Sequence, residues 1–218
     1  MEHDFWHRRW NKNEIGFHQQ QINLHLQELW HSFEIEPGTP VFVPLCGKSQ
    51  DMLWLAEQGH PVLGIELSEL AVESFFSEAS LSPTVTESPP FRRYSHGNIE
   101  ILVGDFFSLE PAHLDTFEVV YDRASLIAFP PEMRPRYSRH LNGLLPSGAK
   151  IMLITLEYSQ EEMKGPPFCV KESEVNELMG DTMRIEKLRE LDVLSENPRF
   201  IRRGLTALQE KVFRLRKR

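Results

Sequence analysis

The chain is short of cysteine, of positive charge and of long apolar runs, and its most suggestive loop is short of glycine. Two cysteines, Cys46 and Cys169, in 218 residues are too few for a disulfide framework and lack the spacing of a zinc site. Basic residues number 24 against 32 acidic ones, a net charge of −8. That is a poor match to nucleic acid, whose binding relies on basic faces. The tail RLRKR (residues 214–218) is a local exception and reads as a solvated basic terminus after a last strand. No apolar run is long enough to span a bilayer, and the opening MEHDFWHRRW lacks the apolar core of a signal peptide. A cytoplasmic protein without a membrane or nucleic-acid partner is expected. Among nine histidines the one suggestive pair, His3 and His7, has no third ligand nearby, so no metal is expected.

Apolar residues make up 40% of the chain, enough to core one large domain over 1–218. Ile22, Leu26, Leu29 and Phe33 recur at spacings of three and four and predict a helix over 19–33, ended by Pro37-Gly38. A buried strand is expected over 39–45. Ser49 caps a helix that carries Met52, Leu53, Leu55 and Ala56 and stops at Gly59. A strand over 62–67 follows, then a helix opened by Ser68 and Glu69 and running through Phe75 and Phe76. Residues 80–97 are polar and proline-bearing, with room for a short hairpin. Strands over 99–103, 117–121 and 150–156, helices over 133–145 and 173–179, and extended runs over 183–193 and 205–215 complete the reading. Alternating strands and helices predict a parallel sheet covered on both faces. Two closing extended runs without a long helix between them predict an antiparallel hairpin at one edge.

The stretch VFVPLCGKSQDMLWLAEQGHPVLGIELS (residues 41–68) reads as strand, tight loop, helix, strand and acidic residue. A dinucleotide site would show three glycines in that loop; here there is Gly47 alone. Ligands of open α/β sheets sit at the carboxyl ends of the strands. Those ends carry Leu45-Cys46-Gly47, Glu66, Asp105-Phe106 and Asp122-Arg123. Glu66 lies about twenty residues past the glycine, the usual offset for an acid that accepts from a ribose diol. One close backbone approach serves a nucleoside without phosphates, whereas a pyrophosphate needs a full glycine turn. The loop therefore predicts an adenosine ligand lacking phosphate, and S-adenosylmethionine fits that description. Asp105 can accept from the adenine amino group or cap a turn. Phe106 can offer a backbone N–H and a ring face. Cys46 is expected to pack the loop, since no Cys-His-acid arrangement can be read around it.

Several blocks together resemble the thiopurine S-methyltransferase family. They are WHRRWNKNEIGFHQQQ with its W-x6-F-H-Q spacing, PLCGK, the GIELS acidic block, GNIEILVGDFF, YDRASLIAF, GPPF, and the closing RGL with EKVF. They span almost the whole length. The resemblance implies a class I methyltransferase fold: a three-layer α/β/α sandwich with a mostly parallel, Rossmann-like, seven-stranded sheet and an antiparallel edge hairpin. It implies that Trp10, Leu45, Gly47, Glu66, Asp105, Phe106 and Arg123 hold S-adenosyl-L-methionine, and that Phe17 and Arg199 meet the acceptor. Residues 1–18 are expected to form an aromatic lid. Pro166-Pro167 sets a turn or a cis bond beside the pocket, and Met163 fills core. The implied reaction is in-line displacement by a thiol sulfur, with Arg123 and Arg199 favouring the thiolate. The acceptor is a small-molecule thiol or chalcogen compound, and a monomer is expected. Detoxification of selenium or tellurium compounds and a non-catalytic adenosine-ligand sensor are the alternatives.

Overall fold

A computed structural model describes residues 3–218. Met1 and Glu2, which open the expected lid, lie outside the described residues, as does the side chain of His3. The chain divides into two compact units, the first running to Val120 and the second covering Tyr121–Arg218.

The first unit begins with helices α1 (His3–Asn11) and α2 (Leu24–Leu29), the latter continued by a single 3₁₀ turn over Trp30–Phe33. Then come β1 (Val41–Val43), α3 (Asp51–Glu57), β2 (Val62–Glu66), α4 (Glu69–Glu78), β3 (Thr84–Ser88), β4 (Phe91–His96), β5 (Ile99–Val103) and the start of β6 (Val119–Arg123). β1 runs parallel to β2 and to β6, with Val41 opposite Val62 and Val119, and β2 runs parallel to β5 with Val62 opposite Ile99. Every residue of β1 and β2 is buried, as strands covered on both faces must be.

The aromatic N-terminal segment is helical over His3–Asn11. One expectation for this unit needs correction. The helix expected over 19–33 starts only at Leu24, because the Asn23 side chain accepts from the N–H groups of His25 (3.0 Å) and Leu26 (3.2 Å). It ends at Glu34, whose left-handed φ of 50° stops it before Pro37 is reached. The polar excursion over 80–97 holds the hairpin β3–β4, and β4 pairs antiparallel with β5. β3 is almost wholly exposed, so no hydrophobic pattern could announce it.

The second unit contains α5 (Arg134–Leu144), β7 (Lys150–Glu157), α6 (Glu172–Met179), β8 (Met183–Asp192), α7 (Pro198–Arg202) and β9 (Gln209–Lys217). β9 is antiparallel to both β7 and β8, with Arg216 opposite Lys150 and Lys217 opposite Met183, and β8 is irregular between Lys187 and Arg189. The strand order is β3-β4-β5-β2-β1-β6-β7-β9-β8. The seven expected strands are present, and β3 and β4 bring the sheet to nine.

Here too the structure departs from the sequence reading. The basic tail is not a solvated terminus: β9 runs to Lys217, Leu215 is fully buried, and Lys217 Nζ donates to the carbonyls of Asn142 and Leu145 at 2.6 Å. β6 sits two residues later than expected, which makes Asp122 and Arg123 part of the strand itself. Helix α7, begun by Pro198 in its first turn, was not foreseen.

Candidate active site

β1 leads through Pro44 into the loop at Leu45-Cys46-Gly47. Leu45 (φ 45°) and Gly47 (φ 54°) both take the left-handed conformation, and for Leu45, a non-glycine residue, that stores backbone strain. Two hydrogen bonds fix the loop against the end of β2, and a third holds the Glu66 carboxylate from the far side. Cys46 N–H donates to the Ile65 carbonyl at 2.9 Å, and Gly47 N–H donates to Glu66 Oε2 at 2.9 Å. Ser68 N–H donates to the other carboxylate oxygen, also at 2.9 Å. Glu66 is 7% exposed. Burial pushes its carboxyl up from the usual range, and the N–H groups of Ser68, Gly47 and Leu67 oppose that rise. Each carboxylate oxygen can accept more than one hydrogen bond, so capacity remains for a diol.

Cys46 packs rather than reacts. Its Sγ lies 2.7 Å from where a Cβ on Gly64 would sit, so the glycine of the GIELS block makes room for it. Burial first, and then Glu66, push its thiol well above its ordinary pKa, the opposite of an activated nucleophile.

Trp10, buried on α1, covers the loop. Its Cζ2 lies 3.3 Å from where a Cβ on Gly47 would be, so the one loop glycine is needed for its backbone angle and for the indole beside it. Phe17 meets Trp10 edge-on at 5.6 Å and Trp6 at 5.8 Å, and Trp6 meets Phe5 at 5.2 Å. The expected aromatic segment is thus a connected cluster seated on the loop.

At the end of β5, Gly104 N–H donates to the Glu66 carbonyl at 2.9 Å, which sets Asp105 beside the end of β2. Asp105 Oδ1 accepts from Phe107 N–H at 2.9 Å and caps the 3₁₀ turn Phe106–Ser108, so the turn-cap reading of Asp105 holds for this oxygen. Phe106 is buried and meets Phe107 edge-on at 5.3 Å.

The sequence reading missed Asp51. It is buried, accepts Asn23 N–H at 2.8 Å and the Ser49 hydroxyl at 3.1 Å, and so ties the cap of α2 to the loop after β1. The N-cap of α3 is Gln50 rather than the expected Ser49, which lies one residue earlier and whose oxygen accepts Asp51 N–H at 3.3 Å. A Ser-x-Asp at a helix start signals only local capping; its partner Asn23 is 28 residues away.

In the second unit, Arg123 ends β6, half-buried, and Ala124 follows at φ 65°. Its neighbour Asp122, overlooked as a site residue, is fully buried and accepts from the Tyr137 hydroxyl at 2.7 Å and from Leu126 N–H at 3.3 Å. Burial pushes its carboxyl up to about 6, against the pull of those hydrogen bonds. Arg199 lies on α7 with its guanidinium 4.7 Å from the Phe200 ring centroid. Its Nε is buried and meets no hydrogen-bond acceptor among the described residues. Burial, then the charges of Arg203 and Arg123, lower its pKa, so the two expected arginines stand in each other's field. Arg203 also reaches the Pro166 carbonyl at 3.5 Å. The Gly165-Pro166 and Pro166-Pro167 bonds are both cis, and Met163 is buried. The seven other expected site residues belong to the first unit. Among the described residues no group of three or more histidine, cysteine, aspartate or glutamate side chains is placed to hold a metal ion. No helix there is long and apolar enough to cross a membrane.

A buried, backbone-organised carboxylate, one left-handed glycine and a covering indole fit S-adenosylmethionine and leave no cradle for a pyrophosphate. The fold agrees. A solved magnesium protoporphyrin IX methyltransferase from Synechocystis, with bound S-adenosylhomocysteine, superposes with a TM-score of 0.64 at 16% identity, covering 99% of both chains. The fold and site define an S-adenosylmethionine-dependent methyltransferase of class I. The family description "Thiopurine S-methyltransferase" matches residues 1–218. The thiopurine S-methyltransferase of Nitrosospira multiformis is 50% identical over 215 residues, 99% of this chain and 98% of that one. That of Azotobacter vinelandii is 49% identical over 218 residues, the whole of both chains. The chain belongs to the thiopurine S-methyltransferase family; its cofactor is S-adenosyl-L-methionine and it transfers methyl to sulfur.

Proposed function

We propose that this enzyme methylates thiopurines and other aromatic or heterocyclic thiols by direct in-line displacement, working over 1–218 as one methyltransferase domain. When bound, S-adenosylmethionine supplies an electrophilic methyl group on a sulfonium. The protein's own residues then have three tasks. Glu66 accepts from the ribose hydroxyls, with the Leu45–Gly47 backbone, Asp105 and Phe106 around the nucleoside. Trp10 presents its π-face near the sulfonium, and the segment 1–18 acts as a lid that excludes water. Arg123 and Arg199 favour the thiolate form of the acceptor, and Phe17 walls the acceptor site.

The observation that carries this reading is the state of Arg199: a partly buried guanidinium with an unpaired Nε, held beside two further arginines. A partly buried guanidinium in the field of other positive charges is costly unless an anion joins it. A thiolate is such an anion. Selenium and tellurium nucleophiles, softer still, belong in the same acceptor panel. A monomer acting in the cytoplasm completes the proposal.

The test is the pH dependence of the Arg123→Ala defect. With a thiol that is mainly protonated at assay pH, activity is expected to fall strongly. The defect is expected to shrink as pH rises through the acceptor's own pKa. Lysine at 123 restores part of the loss, since its charge remains while the planar fork does not. A defect flat in pH and confined to cofactor binding would instead assign Arg123 to the cofactor carboxylate.

A further inference from the structure

Among the described residues the largest fully buried side chain is charged. Arg134, at the start of α5, is 1% exposed, and its three nitrogens point to different places. Nε donates to the Phe129 carbonyl at 2.9 Å. Nη1 donates to both oxygens of Glu174, on α6, at 2.6 and 2.7 Å. Nη2 is buried and has no acceptor among the described residues. The guanidinium carbon stands 5.9 Å from the centroid of the Phe168 ring, and Phe168 N–H donates to the Ile127 carbonyl at 2.8 Å.

One planar group therefore joins three segments: residues 127–129, which follow Arg123 by a few positions; Phe168 of the GPPF stretch; and the first turn of α6. The GPPF stretch is held further along as well. The Tyr158 hydroxyl donates to the Pro167 carbonyl at 2.6 Å, and Arg203, the neighbour of Arg199, reaches Pro166. A buried ion pair is a poor source of stability compared with apolar residues of the same volume. What a guanidinium does that leucine or lysine does not is fix several partners in one plane.

We infer that Arg134 is a positioning residue for the acceptor side of the site: clamped by Glu174, it holds residues 127–129 and Phe168 in the register that places Arg123 and the GPPF turn. The inference rests on the proposed thiol-methylating role of those segments. It adds to that role a residue that touches neither acceptor nor cofactor.

Two variants of the full chain test it. Arg134→Lys keeps the charge and loses the plane. The double variant Arg134→Met with Glu174→Leu removes both charges together, so neither is left buried alone. Each is assayed for S-adenosylhomocysteine affinity by calorimetry, for kcat and KM with a thiophenol, and for hydrogen exchange at the Phe168 amide. Cofactor affinity is expected to stay within about twofold, while kcat/KM for the thiophenol falls about tenfold or more through misplacement of the acceptor groups. Phe168 exchange is expected to rise in both variants while the β1 and β2 amides keep their protection. A merely structural Arg134 would lower cofactor affinity and acceptor turnover together, and that outcome overturns the inference. So does a folded double variant with wild-type kcat/KM or unchanged Phe168 exchange. If the wild-type protein methylates no thiol, the proposed function falls, and Phe168 exchange still decides whether Arg134 pins the segment.

Discussion

Gly47→Ala tests the single loop glycine, because the structure gives two separate reasons for it. The first is backbone: at φ 54° a residue with a Cβ pays about 1–2 kcal/mol for the left-handed conformation. Alanine recovers about 0.4–1 kcal/mol of that by restricting the unfolded chain. The second is contact. The new Cβ would lie 3.3 Å from Trp10 Cζ2, inside the usual carbon–carbon separation of about 3.5–4.0 Å. The indole must therefore move by a few tenths of an ångström, and overpacking of this kind costs about 1 kcal/mol or more. The net expectation is a loss of about 1–2 kcal/mol, which for a chain of this size lowers Tm by about 2–8 °C. Affinity for S-adenosylhomocysteine falls as well, since the displaced ring and loop are the proposed cofactor walls. Trp10→Phe separates the two causes, because phenylalanine lacks the benzo edge that carries Cζ2. In a double-mutant cycle followed by thermal denaturation and calorimetry, the contact share should vanish and the backbone share persist, giving a coupling of about 0.5–1 kcal/mol. Zero coupling would mean that Trp10 does not sit on the loop. A Gly47→Ala protein with native stability and cofactor affinity would refute both causes.

Glu66→Ala is expected to weaken S-adenosylhomocysteine binding by about 1.5–3 kcal/mol, the range for hydrogen bonds to a charged group; unchanged affinity in a folded variant removes Glu66 from the ribose. Asp122 makes stability depend on pH with a definite sign. Its folded pKa of about 6 lies above its ordinary value of 3.8. The folded state therefore binds the proton more tightly, and this contribution to stability is complete below about pH 3.8 and lost as pH rises through about 6. At about 1.4 kcal/mol per pH unit the loss amounts to about 3 kcal/mol. Urea unfolding of Asp122→Asn and wild type between about pH 3 and 7 should show the variant gaining relative stability by that amount. A constant difference across the range would show that the buried carboxylate does not titrate there.

What the sequence determined by itself is local or short-ranged. Spacings of three and four residues marked α2, and cap residues ahead of apolar runs marked α3 and α4. An apolar run with β-branched residues marked β1, which is buried on both faces. The offset from Gly47 to Glu66 was legible because one strand–helix–strand unit fixes it, and the two groups meet at 2.9 Å. The family blocks were legible for the same reason: each is one short continuous stretch, such as PLCGK at the end of β1 or GDFF at the end of β5.

Tertiary structure alone decided whatever depends on partners far apart in the chain. β9 lies between β7 and β8, and that placement turned a charged tail into a core strand. β3 buries almost nothing, so only its pairing with β4 makes it a strand. Asn23 with Asp51, Asp122 with Tyr137, and Arg134 with Glu174 are each separated by 15 to 40 residues. In the sequence each reads as an ordinary polar residue on a helix or strand. A buried polar group must find its partners inside the fold, because water is no longer there to serve. Which partners those are depends on packing, and no single stretch of sequence records it.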